Sequence, residues 1–191
     1  MAIKAQMKGD TRVITGKVRL SFSNLFEPRK NDDGTAGRYD CCLLIDKDDK
    51  DTIACINKAI ENAKAKGVES KWGGKIPKNL QLPLHDGDEK EDDQYSEQFE
   101  GKMFINPKAK SRPGIVDKHG ARIIDAEEIY SGCWVVAAIS FFPYDANGNR
   151  GVGVGIDNVM KIADGESLAG KPSADSDFAG VAVDDDDDDD I

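Results

Sequence analysis

Asp184, Asp185, Asp186, Asp187, Asp188, Asp189 and Asp190, followed by Ile191, are the last eight residues of this chain, and they set the first limit on its fold. Seven adjacent carboxylates repel one another and bring nothing apolar to bury, so the run stays extended and outside any core. Beyond Gly170 the composition turns small, polar and acidic, which divides the chain into a folding body over residues 1–170 and an acidic tail over 171–191. The tail also explains the charge. Of a formal net −10, the body carries only −2 and the tail region −8, because Lys171 is the one basic residue beyond Gly170. Such a polyanion either competes for cationic surfaces, on its own body or on a partner, or serves solubility alone.

The body alternates like a strand protein. In residues 11–22, Val18, Leu20 and Phe22 alternate with Lys17, Arg19 and Ser21, giving an apolar face and a basic one. Residues 38–45 form a second strand, apolar enough at Cys41–Ile45 to be central. Ile53, Ile56, Ile60 and Ala63 fall at helical spacing behind the capping aspartates of 46–51. The spacing predicts one helix over 50–66, with Gly67 as its stop. Periodicity then vanishes from 68 to 101. Further strands are expected over 102–110 and 133–144 and, after the Asn147-Gly148 turn, over 151–160; a short hairpin is expected around 117–120. Short antiparallel strands must close or cover their edges. A mainly β, OB-fold-like five-stranded barrel with one main helix and long loops is the economical architecture. The usual OB order puts that helix between the third and fourth strands.

Several chemistries find no material. Cys41, Cys42, Cys55 and Cys133 form no CxxC pair, and His85 and His119 lie in no ligand-spaced cluster, so buried small hydrophobes are the better reading than zinc. The glycines of 151–155 follow a tight turn without a phosphate-loop lysine or a following helix. They fit a bend or a close backbone approach instead. Asp86 and Asp88 lack EF-hand spacing. No serine, histidine and acid grouping is visible, so no enzyme and no cofactor are expected. No run approaches the roughly 18–20 apolar residues of a membrane span. Met1–Lys4 lacks a signal-peptide apolar stretch, which makes a cytoplasmic location the expectation.

What remains is interleaving of rings and cations: Arg38 with Tyr39; Trp72 with Lys71, Lys75 and Lys78; Phe104 with Lys108, Lys110 and Arg112; Phe142 and Tyr144 with Arg150. Single-stranded nucleic acid needs this pairing, since cations follow phosphates while exposed rings stack on unpaired bases. The competing reading makes each ring core. Alternation sorts some of them, because Phe141 shares parity with Val135, Ala137 and Ile139, whereas Phe142 and Tyr144 share it with Ser140. Trp72 is either a plug or a base platform.

Leu20-Ser21-Phe22-Ser23-Asn24-Leu25-Phe26-Glu27-Pro28 resembles the opening motif of the bacteriophage single-stranded DNA-binding proteins of the Enc34 type. Pro83-Leu84-His85-Asp86-Gly87-Asp88, Arg112-Pro113-Gly114-Ile115-Val116-Asp117, Tyr130-Ser131-Gly132-Cys133-Trp134 and the segment from Tyr144 to Val152 resemble later motifs in the same order. The resemblance runs from about Val18 to Phe178. It implies an OB fold that coats single-stranded DNA during phage replication, recombination or repair, without catalysis. It also implies an acidic C-terminus that competes with DNA and recruits replication proteins. Such tails commonly end in an aromatic residue; here Ile191 is last, and Phe178 is the candidate substitute. The alternative reading is an acidic adaptor or DNA mimic that binds a basic host or replication protein.

Overall fold

The computed structural model describes residues 3–90, 96–169 and 174–181. The acidic run from Asp184 to Ile191, and residues 91–93 of the acidic loop, lie outside them.

In chain order the strands are β1 (Gln6–Met7), β2 (Arg12–Ile14), β3 (Val18–Asn24) and β4 (Tyr39–Asp46). Helix α1 (Lys50–Ser70) follows, then β5 (His85–Asp86), β6 (Lys102–Ile105), β7 (Lys108–Ala109) and β8 (Gly114–Val116). The two longest strands, β9 (Trp134–Ala146) and β10 (Asn149–Ala163), precede a single short turn of helix, α2 (Ala174–Phe178).

Pairing closes on itself. β3 pairs with β4 and β9, β9 with β10, β10 with β7, and β7 with β4, so five strands form a ring with no free edge. The remaining strands extend from this ring: β1 and β2 beyond β9, β6 and β5 beyond β4, and β8 beside β10. The expected mainly β, five-stranded closure with one main helix is present. The helix departs from the usual OB order, because α1 leaves the second ring strand, β4, and precedes the third, β7. The connection between the third and fourth ring strands holds β8 and a 3-10 turn at Ala126–Glu128 instead.

β9 carries the core most regularly. Val135, Ala137, Ile139 and Phe141 are all buried on one face, while Ser140, Phe142 and Tyr144 point the other way. Against them β10 contributes Val152, Val154 and Ile156; a bulge between Ile156 and Asn158 then brings Val159 onto the same inner face. Thr52, Ile56, Ala59, Ile60, Ala63 and Gly67 make the buried stripe of α1, which packs chiefly on β9. Asp49 caps the helix by accepting from the Thr52 amide at 3.1 Å, and Thr52 in turn accepts from the Gly16 amide at 3.0 Å.

Three local expectations change. The first strand is broken at Thr15-Gly16-Lys17, where buried Thr15 accepts from the Ala137 amide through its hydroxyl at 3.0 Å and so takes the chain around a corner. A bulge between Ser21 and Asn24 then reverses the alternation. Ser21 is buried, whereas Phe22, at φ 47°, is 39% exposed and stacks at 6.5 Å on Phe99. Finally, α1 runs through Gly67 to Ser70. Gly67 is there because a ring lies on it: a Cβ at that position would meet Trp72 ring carbons at 2.6 Å and the Pro143 Cβ at 2.8 Å.

Candidate nucleic-acid interface

A groove of about 730 Å³ opens on the outer face of the ring, where the far end of β9 meets β10, β7 and the segment before β5. Its floor is made by an arrangement of rings over glycines. Phe142 and Tyr144 lie on the outer face of β9, two residues and hence about 6–7 Å apart. Their register partners on β10 are Gly153 and Gly151. With no side chains opposite, each ring leans across the neighbouring strand. The Cε2 and Cζ carbons of Phe142 overlie Gly153, and the Tyr144 hydroxyl end overlies Gly151. Tyr144 is further fixed by its hydroxyl, which donates to the Gln81 side-chain oxygen at 3.1 Å. Phe142 remains 45% exposed. The tight turn that starts β10 needs positive φ at Asn147 (53°) and Gly148 (79°), the pattern of an Asn-Gly hairpin.

The walls supply charge of one sign. Arg38, from the loop entering β4, and Lys108, on β7, line the groove together with Asn106 and His85, and among the described residues no aspartate or glutamate lines it. Neither Arg38 nor Lys108 forms an ion pair among the described residues. His85 packs its ring 5.1 Å from Phe104, and burial there pulls the imidazolium below its usual value. Nearby acids are already neutralised: Asp40 is held by Arg29 at 3.1 Å and Asn24 at 2.8 Å, and Asp157 by Arg12 at 3.1 Å and Ser140 at 2.6 Å.

Of the residues singled out from sequence, Arg38, Lys108, Phe142 and Tyr144 come together here. Tyr39 and Lys110 flank this set along the β4–β7 pairing, with Tyr39 half-buried opposite Ala109. Arg150 sits on the β9–β10 hairpin and is paired with Asp145 at 3.1 Å. Lys71, Lys75 and Lys78 are exposed on a loop fastened at both ends to that same hairpin. At one end the Trp72 indole N–H donates to the Tyr144 carbonyl at 3.1 Å. At the other the Gln81 amide donates to Arg150, and the Gln81 carbonyl accepts from Val152, each at 2.9 Å.

Three more of the residues singled out from sequence lie off the groove. Trp72 is 6% exposed, with its ring lying on Gly67, so it is a plug and has no face to offer a base. Phe104 is half-buried, packed edge-to-face with Phe99 at 4.8 Å and beside His85 at 5.1 Å; it does not line the groove. The Arg112 guanidinium stacks on Phe26 at 4.4 Å and is not part of the groove. Gln81, Leu82, Pro83, His85 and Asn106 went unread as site residues, because nothing periodic marks the segment that delivers most of them.

Among the described residues no group of acidic, histidine and cysteine side chains could hold a metal ion, and no helix is long and apolar enough to cross a membrane. Cys41, Cys42 and Cys133 are buried, as expected; burial raises the Cys41 thiol well above its ordinary range and that of Cys42 to about 12.

Residues 11–191 match the family described as the single-stranded DNA-binding protein of Enterobacter phage Enc34. The chain belongs to that family. Its members are single-stranded DNA-binding proteins rather than enzymes, in line with the expectation from sequence. A curated relative, putative protein p50 of Acyrthosiphon pisum secondary endosymbiont phage 1, is 31% identical over 169 residues, covering 83% of this chain and 87% of the relative. The structure of the Enc34 protein in complex with single-stranded DNA superimposes with a TM-score of 0.68 at 25% identity, over 87% of this chain and 97% of that one. A single-stranded DNA-binding protein encoded by bacteriophage T7 shares the fold, with a TM-score of 0.60 at 16% identity over 85% and 97% of the two chains.

Proposed function

We propose that this protein binds single-stranded DNA in the groove beside Phe142 and Tyr144, with little sequence preference. The observation that carries the reading is a groove that no described acidic residue lines, in a chain of net charge −10, with two cations that form no ion pair among the described residues beside two rings. Two successive bases stack on Phe142 and Tyr144, an interaction that is indifferent to base identity and contributes about 1–3 kcal/mol per base. Arg38 and Lys108 take phosphates on one side of the rings. Lys71, Lys75 and Lys78 extend the cationic path past Tyr144. Bound along a strand, the protein protects it during phage replication, recombination or repair in the host cytoplasm. The Asp184–Asp190 run competes with DNA for the same cations and recruits replication proteins, with Phe178, 67% exposed, as the apolar contact.

Fluorescence anisotropy with labelled oligo-dT tests this directly. Binding at low salt is expected, with the log–log salt slope shallower by about 0.7 for each of Arg38→Gln and Lys108→Gln. Deleting residues 184–191 should tighten binding. Equal or weaker binding by the truncated chain refutes the competition, while no binding by either form refutes the function and favours the acidic adaptor.

A further inference from the structure

We infer that Gly153 is a positioning residue for DNA binding: its missing side chain is the seat in which the Phe142 ring lies, and that seat presents the opposite ring face to a base. The inference rests on the reading of the groove given above and adds a residue that never touches the ligand through a side chain of its own.

A Cβ built on Gly153 has three ring carbons of Phe142 as its nearest neighbours, Cε2 and Cζ at 2.6 Å and Cδ2 at 3.4 Å. Real Cβ contacts essentially never fall below about 3.0 Å, so the ring and an alanine cannot both hold these places. Nothing in the main chain itself asks for glycine, since φ at Gly153 lies outside the left-handed range. The position also weakens the strand, because glycine in a strand interior has no side chain to pack and loses more entropy on folding. Gly151, two residues earlier, differs. There a Cβ would lie 2.4 Å from the Gln81 carbonyl oxygen, so the glycine is needed for backbone approach whatever Tyr144 does. At Gly153 the demand comes from the Phe142 ring.

The consequence follows from the exposure of Phe142. The side of the ring over Gly153 is covered and the other side faces the groove, leaving the residue 45% exposed. An alanine at 153 would push the ring away from β10 and out of line with Tyr144, spoiling the two-ring floor without removing any group that meets DNA.

A double-mutant cycle tests it, with oligo-dT anisotropy as the readout on the full chain. Phe142→Ala should weaken binding by about 5- to 150-fold, the range for loss of one stacked base. Gly153→Ala should weaken it at least fivefold while the melting temperature holds, and should add less than twofold when Phe142 is already alanine. A second measurement needs no variant at 153. Ring current from Phe142 should shield the Gly153 Hα protons in NMR spectra of the free protein, and Phe142→Ala should move them downfield. Unchanged affinity in Gly153→Ala, an equal loss in both backgrounds, or Hα protons indifferent to Phe142 would each overturn the inference alone. Unchanged affinity in Phe142→Ala would overturn the groove reading and this inference with it.

Discussion

Replacing Trp72 separates packing from stacking. The indole is only 6% exposed, lying on Gly67 of α1, with its N–H given to the Tyr144 carbonyl at 3.1 Å. Truncating a buried tryptophan to alanine costs about 3–5 kcal/mol, the transfer loss plus the cavity left behind. For a body of this size each kcal/mol lowers the melting temperature by about 2–4 °C, so Trp72→Ala should melt roughly 6–20 °C lower. Trp72→Phe keeps much of the plug and loses the hydrogen bond and part of the volume, for about 1–2 kcal/mol. Thermal unfolding followed by circular dichroism reads both. Anisotropy at 10 °C, well below either transition, reads binding. Stability should fall in the order wild type, Trp72→Phe, Trp72→Ala, with oligo-dT affinity changing less than about threefold in Trp72→Phe. An alanine variant that melts like the wild type but loses DNA affinity would show the ring to be a base platform and the packing argument to be wrong.

Gly67→Ala tests the same contact from the other side. Alanine in a helix interior normally gains about 0.5–1 kcal/mol over glycine, yet here its Cβ meets the indole at 2.6 Å, and overpacking of about 1–3 kcal/mol should make the variant melt lower. His85 binds its proton less readily in the folded protein than in the unfolded chain, because burial beside Phe104 depresses the imidazolium. Its contribution to stability is therefore present above the ordinary value near 6.5 and lost as pH falls through the folded value. Melting temperature between pH 7.5 and 5 should fall more steeply in the wild type than in His85→Gln. Cys41 and Cys42 should resist a thiol reagent at pH 8 until the protein unfolds, since burial holds both thiols protonated; rapid modification of two native thiols, followed by mass spectrometry, would contradict their placement.

The sequence was most legible where a period of two runs unbroken. Parity along β9 separates Phe141, buried with Ile139, from Phe142 and Tyr144 on the groove side, and the structure keeps that division. Parity fails at Phe22, because the bulge after Ser21 turns a core-phase residue outward, and bulges leave little trace in composition. Gly67 misleads for a related reason. Its local meaning is a helix stop, but what selects it is the ring of Trp72, a contact no window around 67 contains. The groove is half-readable by the same logic. Arg38, Lys108, Phe142 and Tyr144 stand out as cations and rings on strands, whereas His85 arrives through β5 pairing with β6, and Gln81 through a bridge to Gly151. Both lie in the stretch where no periodicity guides assignment. The ring closure itself rests on one bridge, Gly155 with Lys108, which no pattern in either segment announces.

The loop that begins at Trp72 and returns at Gln81 is anchored at two neighbouring points of one hairpin, Tyr144 on one strand and Arg150 to Val152 on the other. Most of the residues between, 73–79, are exposed and form a handle, while Leu80 packs on the core. Doubling their number would add only about 0.6 kcal/mol of closure entropy. The length of the handle and its lysine content can drift, or be rewritten by an engineer, while the ring floor beside it stays as it is. Affinity tuned there would change how firmly DNA is gripped without changing what is recognised.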